Sequence, residues 1–285
     1  MSSTNTHSTM YRFVVSLIVL SLAILVLAGC GQEPAPEPTA TPAEETVAEA
    51  QAEAVEEEAV EEEAEEAEAV HWSYEGEGAP ENWASLDPAY VACGEGMEQS
   101  PVDIVDAPVN PDDVVYAYAE SAVNIVNNGH AIQVNYDEGS SAEIDGVEYA
   151  LQQFHLHSPS EHTVAGEHAD MEMHLVHADA DGNNAVIGVL LVEGAENPAF
   201  APVWDNMPAE EGDPVTVEGV TVNVDDLLPE ERSYYHYKGS LKTPACTEGV
   251  NWHMLVEPVE LSADQIAAFR AIHDGTNRTD HPMNY

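Results

Sequence analysis

The sequence predicts a mainly β domain, built on one large, mostly antiparallel sheet with short helices at its periphery. Three observations carry this. First, Val123–Asn127 and Ala131–Tyr136 alternate apolar and polar residues on either side of Asn128-Gly129-His130, the signature of two strands joined at a turn. Second, Ala185–Val192 is an unbroken apolar run rich in β-branched residues, as a strand buried on both faces requires. Third, helix signals are few. The best is Ser262–Arg270, where Ser262 can cap the first turn and Gln265, three residues on, completes a capping box. Val215-Thr216-Val217 and Val220–Val224 flank Glu218-Gly219 and read as a further hairpin. No internal repeat is visible.

This domain occupies residues 71–285, long enough to bury a single sizeable core. What precedes it is different material. Phe13–Leu27 is apolar apart from Ser16 and Ser21, shorter than the span of about 20 residues that a membrane helix needs, and reads as an export signal over residues 1–29. The run ends Leu27-Ala28-Gly29-Cys30, which resembles the lipobox of bacterial lipoproteins, in which the Cys is acylated and becomes the mature N-terminus. An ordinary signal peptide and an uncleaved anchor helix are the alternatives, and all three place the rest of the chain outside the cytoplasm. Residues 30–70 then begin with Pro34, Pro36, Pro38 and Pro42 and continue as an Ala/Glu/Val tract without Lys, Arg or aromatic residues. Such a segment buries too little apolar surface to offset its ordering entropy, and its glutamate runs repel, so it reads as a disordered acidic stalk.

The chain carries 54 acidic and 6 basic side chains, a formal charge of −48. Much of this lies beyond Val70, which argues against nucleic acid or anionic head groups as partners of the domain. The contact with a membrane is expected through Cys30 alone. Cys93 and Cys246 form an even pair in an exported domain, where disulfides persist. If they pair, they close a long loop, worth about 4–5 kcal/mol in the chain-entropy account.

The chemistry concentrates in Gln153-Phe154-His155-Leu156-His157. Side chains alternate across a strand, so His155 and His157 share one face, about 7 Å apart along the backbone, while Phe154 and Leu156 point into the core. The next strand offers Glu172-Met173-His174-Leu175-Val176-His177, and residues 158–170 are long enough to bring it back antiparallel. His174 can then face the first pair. Three neutral His with one open position is the arrangement of a catalytic zinc ion. His-x-His alone is weak evidence in a chain with 13 His; the surroundings strengthen it.

Those surroundings, with Ser160-Glu161-His162-Thr163-Val164 between the two strands, resemble the zinc core of the alpha-class carbonic anhydrases. Trp72-Ser73-Tyr74-Glu75-Gly76 and Gln99–Ile104 upstream, and Tyr237–Leu241 and Pro244–Trp252 downstream, resemble that family's opening motifs and late active-site loop, in order. The resemblance implies a central twisted, mainly antiparallel sheet with Zn2+ at the floor of a conical cleft. It implies reversible hydration of carbon dioxide to bicarbonate and a proton, with His155, His157 and His174 as ligands and a zinc-bound hydroxide as nucleophile. It assigns Gln153 and Glu172 to orient the ligands and His130 to shuttle protons. Val176, Val186, Leu241, Val250 and Trp252 become the carbon dioxide pocket, and Tyr237 and His162 a buried hydrogen-bonded pair. Cys93 and Cys246 match positions bridged in many secreted members.

One position departs from the family pattern. Where the family has a Thr whose hydroxyl accepts the hydroxide's proton and donates to the carboxylate matched by Glu161, this chain has Lys242, followed by Thr243. An ammonium offers donors and no acceptor. Lys242 could turn away, pair with Glu161, or accept as a neutral amine, and Thr243 could take over part of the hydroxyl's role. The alternative reading is therefore a zinc-binding surface protein on the same scaffold with weak or no hydration activity. A zinc scavenger would favour a His-rich tract, and the stalk contains no His.

Overall fold

In the computed structural model, the residues described are 71–281 other than 106–108 and 112. The export signal, Cys30 and the stalk lie outside them. Among the described residues no helix is long and apolar enough to cross a membrane.

The architecture is mainly β. Eight strands make the backbone of a twelve-stranded sheet: β1 Ser121–Asn127, β2 Ile132–Asn135, β3 Val147–His157, β4 Met171–Ala178, β5 Asn184–Glu193, β6 Val215–Val222, β7 Tyr234–Ser240 and β8 Glu248–Leu255. Their spatial order is β6-β1-β2-β3-β4-β5-β8-β7, and the short strand Val109–Asn110 closes the β7 edge. Neighbours pair antiparallel except β5, which runs parallel to β8 and to the short strand Val259–Leu261. Asn128-Gly129-His130 is the turn between β1 and β2, with Gly129 at φ +84°.

Strand alternation divides two apolar layers. Phe154 and Leu156 of β3, Met171, Met173 and Leu175 of β4, and Ile187 and Val189 of β5 point into the main core, all fully buried. Val186, Val250, Trp252 and Tyr237 pack on the opposite face with Val102 and Ile104. The polar members of β3 and β4 share that second face, and this puts the histidines there. Ala263–Arg270 is a helix with the expected capping box: Ser262 Oγ accepts from Gln265 N (3.2 Å) and Gln265 Oε1 accepts from Ser262 N (3.0 Å). Cys93 and Cys246 form a disulfide, which links the helix Ala92–Glu95 to the loop after β7.

One expectation fails. Val215–Val224 does not fold back as a hairpin at Glu218-Gly219; Val215–Val222 is a single strand. Both halves pair with β1, Thr216 opposite Asn124 and Thr221 opposite Ala122, and the surplus residues between them bulge. Gly219, at φ +73°, absorbs that bulge, a conformation that a residue with a Cβ resists. Val224 leaves the strand and opens a 3-10 turn capped by Asn223, whose side chain accepts from Asp225 N.

Candidate metal centre

β3 and β4 pair in the register that sets His155 directly opposite His174 and His157 opposite Glu172. With His157 two residues along β3, the three imidazoles converge: one ring nitrogen of each lies within 4.8 Å of the others. They line a cavity of about 310 Å³.

The outward nitrogens have acceptors. His155 Nδ1 meets Gln153 Oε1 at 2.8 Å, and His157 Nδ1 meets the carbonyl of Thr276 at 2.8 Å. A carbonyl oxygen only accepts, so both Nδ1 atoms carry the proton and both Nε2 atoms turn a bare lone pair inward. His157 Nε2 is buried without a hydrogen-bond partner among the described residues. A buried lone pair left unsatisfied is costly, and a cation ligated by these nitrogens relieves it. Burial, then the neighbouring histidines, holds the His155 pKa well below 6.5, and burial, then Lys242, does the same for His174. Neutral rings of this kind fit zinc.

A buried polar layer supports the third ring. His174 Nε2 is in contact with Glu172 Oε1. Glu172 Oε2 accepts from the backbone N–H groups of Glu161 and His162, both at 2.8 Å, and Oε1 from His162 Nδ1 at 2.6 Å. His162 Nε2 then meets Tyr237 OH at 2.6 Å, and Tyr237 OH meets Ser100 Oγ at 2.9 Å. Burial alone would raise the Glu172 carboxyl, but Lys242 and the two histidines outweigh it and hold it well below its ordinary range. Burial likewise opposes ionisation of Glu161, and His157 and Lys242 prevail.

Lys242 is turned inward. Its side chain is 5% exposed, and its ammonium lies 2.8 Å from Glu161 Oε2, 3.4 Å from Glu172 Oε1 and 2.7 Å from His174 Nε2. It also lies 4.4 Å from the centre of the Trp252 ring. Of the three outcomes the sequence left open, pairing with Glu161 is the one observed. Thr243 lines the same cavity, and its carbonyl accepts from Cys246 N.

Val176, Val186, Leu241 and Trp252 wall the cavity beside the histidines. Val250 does not reach it and packs behind that wall, buried against Val186 and Trp252. His130 also lies off this cavity. It stacks on Trp72, ring centres 3.7 Å apart, and lines a neighbouring cavity of about 430 Å³ with His71, Glu211 and His273. Burial and His71 lower its pKa.

Three contributors went unremarked in the sequence. Asn184 lines the metal cavity; strand alternation would have revealed it, two residues before Val186. Ser100 lies inside a quoted motif, but nothing in that segment tells that its hydroxyl meets Tyr237. Thr276 acts through its backbone carbonyl, which no side-chain pattern marks.

Comparison with known proteins agrees with this architecture. The family model described as eukaryotic-type carbonic anhydrase matches residues 78–285. A carbonic anhydrase of Klebsiella pneumoniae is 42% identical over 223 residues, 76% of this chain and 89% of the relative. Among solved structures, a hyperthermostable carbonic anhydrase identified from an active hydrothermal vent chimney is 44% identical with a TM-score of 0.71, over 75% of this chain and 96% of that one. The alpha-carbonic anhydrase from Thermovibrio ammonificans, solved with the inhibitor sulfanilamide, is 43% identical with a TM-score of 0.71, over 76% and 97%. With its mainly β sheet, its histidine-lined cavity and a match that spans nearly the whole described region, the chain belongs to the eukaryotic-type, or alpha, carbonic anhydrase family of enzymes.

Proposed function

We propose that this chain is a zinc-dependent carbonic anhydrase, hydrating carbon dioxide to bicarbonate and a proton. The observation that carries the reading is the convergence of three imidazole nitrogens within 4.8 Å in a cavity that Val176, Val186, Leu241 and Trp252 also line. His155 and His157 would hold zinc through Nε2, because their Nδ1 atoms are committed to Gln153 and Thr276. His174 would use Nδ1, with Nε2 donating to Glu172. Zinc, when bound, supplies the activation of water for attack at neutral pH.

The chain's own residues do the rest. Gln153, Thr276 and Glu172 fix which nitrogen of each ligand carries the proton, and so aim the lone pairs. Val176, Val186, Leu241 and Trp252 offer an apolar wall to a substrate that has no dipole. Glu161 lies beside the reacting centre, its Oε2 2.8 Å from the Lys242 ammonium and 3.2 Å from His157 Nε2. His130, at the neighbouring cavity, takes up the released proton and passes it to solvent, a role suited to an imidazole.

We also infer that the chain is exported and held at a membrane through acylated Cys30, behind an acidic stalk. The apolar run ending at Ala-Gly-Cys and the Cys93–Cys246 disulfide support this. The catalytic reading is tested by stopped-flow hydration of carbon dioxide on zinc-loaded protein. A rate no higher than that of buffer would overturn it.

A further inference from the structure

We infer that Arg278 is a positioning residue of the metal cavity: its buried guanidinium ties residues 276–278 to the segment that clamps the loop after β7, and so fixes Glu161 between the two. The inference rests on the reading of Glu161 as a group beside the reacting centre.

Residues 276–280 form no helix or strand, yet two of their backbone groups reach the cavity. The carbonyl of Thr276 meets His157 Nδ1 at 2.8 Å, and the backbone N–H of Arg278 donates to Glu161 Oε1 at 3.3 Å. The other oxygen of Glu161, Oε2, lies 2.8 Å from Lys242 Nζ. The carboxylate therefore bridges two pieces of irregular chain, and its place depends on how each piece is anchored.

Arg278 anchors both. It is 2% exposed. Its Nη1 donates to Gln99 Oε1 at 2.9 Å and to the Ser100 carbonyl at 2.8 Å, and its Nη2 donates to the Cys93 carbonyl at 2.7 Å. Each of these three residues leads on to the loop after β7. Cys93 is joined to Cys246 by the disulfide, and Gln99 Nε2 donates to the Cys246 carbonyl at 3.1 Å. Ser100 and Ser240 exchange hydrogen bonds, backbone N–H to Oγ in both directions, each at 3.0 Å. Lys242 and Thr243 lie between Ser240 and Cys246, so the piece that carries them is fixed at both ends. A buried charge is costly unless it is paired or well hydrogen-bonded. Arg232 and Arg270 pair with Asp225 and Asp170, whereas the Arg278 side chain, among the described residues, donates only to uncharged oxygens. Burial pulls its pKa down to about 10, with Glu161 and Tyr74 acting the other way. A rigid planar fork sets its donors on three oxygens from separate groups at once, and the compact ammonium of a lysine does not span them. What the cation supplies in this place is fixed geometry.

The test compares the full chain with Arg278→Lys, which keeps the charge and loses the fork, and with Arg278→Met. Amide hydrogen exchange of the zinc-free chain, read by NMR, is the first measurement, because it separates local opening from global unfolding. In wild type the amides of residues 276 and 278 are expected to be protected, although they belong to no helix or strand. In both variants they are expected to exchange about tenfold faster or more, while the amides of β4 keep their wild-type rates. The second measurement is hydration of carbon dioxide at one zinc per chain, where both variants are expected to turn over about tenfold more slowly. Unprotected amides at 276 and 278 in wild type would overturn the inference without any variant. So would Arg278→Lys matching wild type in both measurements, or an equal rise in exchange at β4, which marks a loss of overall stability only. Faster exchange at 276 and 278 with unchanged turnover would overturn it too, since the segment would then be anchored without serving the site. A wild-type chain that binds zinc and does not hydrate carbon dioxide would instead overturn the functional reading, and the exchange rates would still decide what Arg278 anchors.

Discussion

His155 lies directly opposite His174 in the antiparallel pairing of β3 and β4, with His174 Nδ1 and His155 Nε2 3.2 Å apart. Directly opposed residues bring their side chains together on one face, and this pair with His157 makes up the candidate metal centre. Replacing His155 and His174 together with Ala should abolish stoichiometric zinc, measured by elemental analysis after gel filtration. One zinc per chain surviving in the double variant would show that the metal sits elsewhere.

How much of this could be read beforehand depended on distance along the chain. Period-two alternation was enough to separate His155 and His157 from Phe154 and Leu156, because face follows from neighbours in sequence. The pairing partner His174 followed from the short return between the two strands. Thr276 was out of reach, since it supports His157 across 119 residues and through a carbonyl. The orientation of Lys242 was equally hidden, because it depends on Glu161 and Glu172 arriving from two other segments. The mistaken hairpin at Glu218-Gly219 had a local cause: Gly after an acidic residue suits a bulge as well as a turn, and only the partner strand decides between them.

Acid should weaken the fold before it reaches the carboxylates. His177 and His253 are buried, and burial lowers each to about 4, with His236 adding to the effect at His253. The unfolded chain, with His near 6.5, therefore binds more protons than the folded one between those values. Their contribution is fully present above about pH 6.5 and is lost as the pH falls toward 4, by about 2 kcal/mol each at pH 5. Denaturant unfolding at pH 7.5 and pH 5 should show the fall. His177→Gln, which can still bond Tyr118, should shrink it by about 2 kcal/mol. An equal fall in that variant would remove His177 from the account.

Cys30 should be the first residue of the mature chain and should be acylated. The protein is then expected in the detergent phase and without residues 1–29, while Cys30→Ser is released or left unprocessed. Mass spectrometry of the membrane fraction decides it; an intact N-terminus there would contradict the anchor.

Lys242 beside Glu161 leads to the last expectation. The ammonium gives Glu161 a partner at 2.8 Å, as a hydroxyl would, but it has no lone pair with which to accept the proton of the attacking oxygen. That oxygen is then free to rotate, and fewer of its orientations are productive. Loss of one oriented hydrogen bond at a reacting centre costs about 3 kcal/mol in comparable sites. Thr243 lines the same cavity and is expected to recover part of it. Lys242→Thr, loaded to one zinc per chain, should therefore hydrate carbon dioxide about tenfold faster or more than wild type. Thr243→Val in the wild-type background should be slower still. The comparison is made at saturating buffer, so that proton transfer to solvent does not limit, and at saturating zinc, so that a change in metal affinity does not pass for a change in rate. A Lys242→Thr rate at or below wild type would mean that the ammonium serves the reaction where it stands, in contact with Glu161 and Glu172.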